Sequence, residues 1–231
     1  METKAVFFDV GSTLLHPEPS VAQTFVTIAK DRGHRVSLAD IEGFMPAVDA
    51  FYEEEYLRDG DFWCSHERAC AIWYDMYRYL SQLCGLEKDA EGMASAMREA
   101  YRHADQWALY RDVKDCLRAL REQGCALGVI SNWDDGLEDL LRRLGLLVYF
   151  DDVVCSAAVG YRKPNHVIFE LALERLDVKA HSAVHVGDLP EADGDGATSA
   201  GIRPVIIDRA RVHKSCPYEC IASLSELPAL L

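Results

Sequence analysis

The stretch Lys4-Ala5-Val-Phe-Phe-Asp9-Val-Gly11-Ser-Thr13-Leu14 reads as a short buried strand that ends on a carboxylate. Ala5–Phe8 is an uninterrupted apolar run, the pattern of a strand covered on both faces. Asp9 follows at its carboxyl end, and in an open parallel sheet ligands bind beyond those ends. Four further runs repeat the pattern: Ala126–Ile130, Asp152–Cys155, Ala183–Val186 and Pro204–Ile207. Amphipathic spacing fills the gaps between them. Leu109, Val113, Cys116, Leu117 and Leu120 keep a helical stripe with Gly124 as its stop, and Asn165 caps a helix carrying Val167, Phe169, Leu171 and Leu176. Strands alternating with helices predict an α/β fold with a doubly wound, Rossmann-like parallel sheet.

The interval between the first strand and the second has a different character. It holds no convincing strand and reads as helical throughout. Val21, Phe25, Ile28 and Ala29 form one stripe; Ala69, Ile72, Trp73, Met76, Tyr77, Leu80 and Leu83 form another, with Ser65 as N-cap and Gly85 past the end. Gly43 and Pro46 are expected to break or bend a helix that starts near Ser37. The organisation predicted is a core domain made of 1–15 and 109–231, with a helical domain inserted over 16–108. Its aromatics, Trp63, Trp73, Tyr74, Tyr77 and Tyr79, are expected to serve packing rather than a ligand.

Composition narrows the classes of function. In 231 residues, 38 acidic and 24 basic side chains give a net charge of −14. That field repels nucleic acid and anionic membranes, so neither is an expected partner. An anionic substrate then needs a local cation or helix ends. No apolar run reaches the roughly 18 residues of a spanning helix, and the apolar run before Asp9 is too short for a signal peptide, so a cytoplasmic location with reduced cysteines is expected. His213, Cys216 and Cys220 come nearest to a metal-ligand set, but four-ligand zinc spacing is absent.

Polar residues fall just past the strand ends in a consistent way: Asp9 to Thr13, Ser131-Asn132, Lys163-Pro164, and Gly187-Asp188 through Asp193. An aspartate after one strand is ordinary turn chemistry; four such fragments in order are not. Together they resemble the haloacid dehalogenase-like (HAD) hydrolase superfamily: Phe7-Phe8-Asp9 with Thr13-Leu14, Val129-Ile130-Ser131-Asn132, Gly160-Tyr-Arg-Lys163-Pro164, and Val186-Gly187-Asp188 to Asp193 closed by Gly196-Ala197. The helical insertion is similar to the cap of subfamily I. Asp9–Thr13, Ser131-Asn132-Trp133-Asp134 and the tail Ile221–Leu227 most resemble its DREG-2-like group.

The resemblance implies a phosphatase that works on a small phosphorylated metabolite. Asp9 would attack phosphorus and form an aspartyl-phosphate, which divides hydrolysis into two steps. Mg²⁺ would sit on Asp9, the Gly11 carbonyl and Asp188, with Asp193 in or next to its shell. Thr13 and Ser131 would contact the substrate, Asn132 would help orient it, and Lys163 would neutralise charge, with Asp193 counted among the catalytic residues. Oligomeric state is not written in the sequence.

One position departs from the family pattern. Most family phosphatases carry a second aspartate two residues after the nucleophile, which protonates the leaving group and then activates water. Here Gly11 stands there, and losing such a group costs about 10²–10⁴ in rate. His16 is a candidate substitute proton carrier, with a hinge residue as the plainer reading. The alternatives are a catalytically impaired phosphate-binding or regulatory protein, and phosphonatase or dehalogenase-type chemistry. Gly187-Asp188 and Asp193 speak for a metal and so against dehalogenation; Lys30 and Lys88 are the only cap lysines, and neither lies in a recognisable motif.

Overall fold

In the computed structural model, which describes residues 3–231, β1 (Ala5–Phe8) leads into β2 (Leu15–Pro17) and then a run of helices. These are α1 (Val21–Asp31), α2 (Leu38–Arg58), α3 (His66–Leu83) and α4 (Ala90–Tyr101), followed by β3 (Trp107–Leu109). Next come α5 (Val113–Glu122), β4 (Ala126–Ser131), α6 (Leu137–Arg143), β5 (Asp152–Cys155), α7 (Ser156–Val159) and α8 (His166–Arg175). The chain closes with β6 (Ala183–Gly187), α9 (Gly196–Ser199), β7 (Arg203–Ile207) and β8 (Glu219–Ile221). Residues up to His16 together with Leu109–Leu231 form one compact unit, and Pro17–Ala108 form a second.

Six strands of the first unit lie in the order β5-β4-β1-β6-β7-β8, every neighbouring pair parallel. The chain winds outward on both sides of β1, which is therefore the switch point. Register brings Phe8 level with Val129 of β4 and Val186 of β6, so the next residues of all three strands emerge at one edge. Alternate side chains of β1 go to opposite faces. Ala5 and Phe7 pack with Ile168, Phe169, Ala172 and Leu173 of α8, while Val6 and Phe8 are equally buried and Phe8 meets the Phe150 ring edge-on at 6.3 Å. Each such large side chain contributes about 1.5–3 kcal/mol on burial. That two-sided burial makes the strand read as a continuous apolar run.

Several sequence expectations need correction. β8 was not foreseen: it is three residues long and only Ile221 is buried, too little for a pattern. β2 and β3 form a two-stranded sheet at the ends of the interval expected to be wholly helical. Leu109 thus ends β3, and α5 starts at Val113; a strand end followed by a turn keeps the same apolar spacing as a helix. Helix α2 runs unbroken through Gly43 and Pro46. Its buried Ile41 and Val48 hold the two halves to one cluster, and that packing outweighs the hydrogen bond proline cannot make.

The second unit packs α1–α4 around Phe25, Ile41, Ile72, Leu80, Met93 and Met97. Ser65 caps α3 through a bond from the Arg68 amide, and Gly85 follows with φ 73°. The aromatic residues do serve packing: Trp63–Trp73, Trp73–Tyr77 and Tyr77–Tyr101 are in contact at 5.8, 6.3 and 6.1 Å.

Candidate active site

Asp9 leaves β1 with its amide bonded to the Val186 carbonyl, so the nucleophile candidate is fixed by the neighbouring strand. Its carboxylate is asymmetric. Oδ1 accepts from Ser131 Oγ at 2.9 Å and from Lys163 Nζ at 2.6 Å, and no described hydrogen bond engages Oδ2. Lys163 is 2% exposed and also donates to Asp193 Oδ1 at 2.6 Å. Asp193 then accepts from His185 Nε2 at 2.8 Å on the same oxygen and from the Leu189 amide at 3.0 Å on the other. The turn Pro190–Asp195 curls Asp193 back over the end of β6. A side chain at Gly187 would overlap the Asp193 carboxylate, so only glycine fits there.

The electrostatics follow from burial. Burial pushes the Asp9 carboxyl up against the pull of Lys163, and the charge of Asp193 adds to the rise. Asp188 is pushed up to about 8 by burial, then by Asp9 and Asp193. Asp193 goes the other way: against burial, Lys163 and His185 hold it well below the usual carboxylate range. Lys163 stays an ammonium because Asp193 and Asp9 outweigh the burial that disfavours it. Burial keeps His185 neutral by lowering its pKa. Three carboxylates face one ammonium, a surplus of negative charge that an oxygen-seeking divalent cation would balance. The residues present therefore fit such a cation.

A family model described as haloacid dehalogenase-like hydrolase matches residues 3–201. The chain belongs to the haloacid dehalogenase-like hydrolase family. It is 31% identical to haloacid dehalogenase-like hydrolase domain-containing protein 3 of Danio rerio, over 98% of this chain and 95% of that one. It is 34% identical to a ribulose-1,5-bisphosphate 5-phosphatase of Halopiger xanaduensis, over 88% of this chain and 84% of that one. The magnesium-bound HAD-hydrolase YfnB of Bacillus subtilis shares its fold with a TM-score of 0.81 at 20% identity, covering 100% of this chain and 99% of that one.

Within this hydrolase the motif residues do not all face the same way. Asp9, Ser131, Lys163 and Asp193 form one bonded group. Asn132, expected to orient substrate, instead spends its amide on the backbone of Lys163: Oδ1 accepts the Lys163 amide at 2.8 Å and Nδ2 donates to its carbonyl at 3.1 Å. It positions the lysine. Thr13, expected to contact substrate, is fully buried with no hydrogen-bond partner for Oγ1. Its amide is bonded to the Gly11 carbonyl at 2.6 Å. Both oxygens of Asp193 are already taken by donors, which suits a place beside a cation better than on it. His213 donates through Nε2 to the Asp188 carbonyl at 2.9 Å, and Cys220 Sγ reaches the Tyr218 carbonyl at 3.5 Å; among the described residues His213, Cys216 and Cys220 do not gather into a set that could hold a metal. The His16 ring packs tilted against Tyr110, with ring centroids 4.7 Å apart.

Two participants escaped the sequence reading, and a third, Trp133, entered it only as part of a motif and with no role. His185 could have been noticed as a titratable residue inside a buried strand. Arg209 covers the Tyr110 ring at 3.7 Å, bonds Asp112 at 2.9 and 3.0 Å, and donates to the Thr13 carbonyl at 2.8 Å. Nothing in its local sequence marks it. The Trp133 indole edge lies where a side chain at Gly11 would point, 3.5 Å from that Cβ position. None of the eight cysteines is joined in a disulfide, and among the described residues no helix is long and apolar enough to cross a membrane.

Proposed function

We propose that this hydrolase is a magnesium-dependent phosphatase of small phosphorylated metabolites, working through an aspartyl-phosphate on Asp9. The observation that carries the reading is the divided carboxylate of Asp9, with Oδ1 pinned by Ser131 and Lys163 and Oδ2 left unengaged. Oδ2 attacks phosphorus, the bond to the leaving oxygen breaks, and that oxygen departs with the electron pair. Lys163 neutralises charge as the two anions approach, and Ser131 keeps the carboxylate from rotating. Asp9, the Gly11 carbonyl and Asp188 would hold a magnesium ion, with Asp193 beside it, and that ion would supply further charge neutralisation at the phosphoryl group. Water then attacks phosphorus, returning Asp9 and releasing inorganic phosphate. The unit Pro17–Ala108 is assigned as the cap that selects the substrate. The phosphatase name of the Halopiger relative supports the reading.

Gly11 favours a second reading, in which the site binds a phosphoryl group and turns it over poorly or not at all. A panel of alkyl, aryl and acyl phosphates with and without Mg²⁺ separates the two. Release of phosphate that needs Mg²⁺ and disappears in Asp9→Asn is expected. Undiminished release by Asp9→Asn would remove Asp9 as nucleophile. Tight binding of an acyl-phosphate analogue without any product would favour the second reading.

A further inference from the structure

The geometry assigns His185 as a positioning residue: its Nε2–H anchors Asp193 so that the Lys163 ammonium stays shared with Asp9. The imidazole is fully buried in β6, which lies between β1, the strand that delivers Asp9, and β7. One flank is apolar, with the Phe169 ring edge-on at 5.1 Å. Its only described hydrogen bond is the 2.8 Å contact to Asp193 Oδ1, and Nδ1 is buried with no partner. A carboxylate only accepts, so Nε2 carries the proton. The neutral ring then leaves a lone pair on Nδ1 rather than an unmet N–H donor. A methionine or leucine would fill this volume without the desolvation cost of a ring nitrogen. The polar ring is explained by what it does to Asp193.

Asp193 Oδ1 is a shared acceptor, taking His185 on one side and Lys163 on the other. Lys163 in turn spans Asp193 and Asp9 at 2.6 Å each. With His185 present, the Asp193 charge is partly met by a second donor, and Lys163 divides its attraction between two carboxylates. Without that donor, Asp193 draws the ammonium toward itself and away from Asp9. The loss falls on charge neutralisation during attack, so kcat suffers more than KM.

The kinetic arm rests on the phosphatase reading; a binding arm does not. His185→Met keeps bulk and removes the donor, His185→Gln restores a donor at similar reach, and His185→Asn is polar but too short. In the full chain with Mg²⁺, His185→Met and His185→Asn are expected to lower kcat by about tenfold to hundredfold, with KM changed less than threefold. His185→Gln should recover most of the loss. Calorimetry with beryllofluoride, which caps a carboxylate as a phosphoryl mimic, should show the same order of affinities with or without turnover. Absence of turnover in the parent protein would sink the phosphatase reading, leaving the beryllofluoride order to judge His185. Equal kcat and equal beryllofluoride affinity in His185→Met and the parent would overturn the assignment. So would losses in His185→Gln as deep as in His185→Asn, since packing alone would then explain them.

Discussion

In the proposed phosphatase reading Gly11 leaves the site without the usual proton carrier, and the backbone there does not forbid a replacement. A Cβ at this position meets only the Trp133 indole edge, at an ordinary 3.5 Å. The carboxylate of Gly11→Asp therefore has space beside the indole, and the variant tests whether acid–base chemistry limits turnover. Alkyl phosphates, whose leaving oxygens need a proton, should gain about tenfold or more, within the range such groups supply. Aryl and acyl phosphates, with good leaving groups, should gain little in the first step. Rates measured side by side on both classes decide the matter; equal gains would mean that the second step, hydrolysis of the aspartyl-phosphate, is what the glycine slows. No gain on either class would show that another group already carries the proton.

At the scale of elements, Arg209 just past β7 ties three segments together. Its guanidinium forks onto Asp112, covers Tyr110 and holds the Thr13 carbonyl, while Asp112 also accepts from Ser223 Oγ and the Leu224 amide. Lysine cannot reproduce a planar fork with that many donors. Arg209→Lys should lower stability by about 1–2 kcal/mol in urea titration, and a midpoint unchanged from the parent would show the cluster to be ornamental. This hub also shows where sequence reading stops. The strands were legible because two-sided burial writes itself as continuous apolar runs; Asp9, Ser131 and Asp188 were legible because they fall at strand ends, and Lys163, which lies beyond α7, because it stands with Pro164 ahead of the next helix. Partners were not. Periodicity tells which face a residue occupies, but not that Arg209 meets Thr13, 196 positions away in the chain, or that Asn132 turns to the Lys163 backbone. β2, β3 and β8 were missed because three residues carry too little pattern.

For the whole molecule the issue is charge: a chain of net −14 gathers Asp9, Asp188 and Asp193 around a single buried ammonium. Asp188 carries the consequence, with its carboxyl pushed from 3.8 to about 8 in the folded state. Between those values the folded chain holds a proton that the unfolded chain has released. Stability without a cation must therefore fall as pH rises through that window, by linkage. Asp193 has the opposite sign: its pKa is held low, so its contribution is present above the ordinary carboxylate range and is lost on strong acidification. In the proposed site a divalent cation would replace the proton on Asp188, and would have to compete for it at low pH. Magnesium should then raise the melting temperature clearly at about pH 8.5 and much less at about pH 5.5, with chelator reversing both. Asp188→Asn should melt higher than the parent at the alkaline pH without metal, because the repulsion is gone, and should lose most of the magnesium effect. A magnesium shift equal at the two pH values, or larger at the lower one, would place the cation somewhere other than against Asp188.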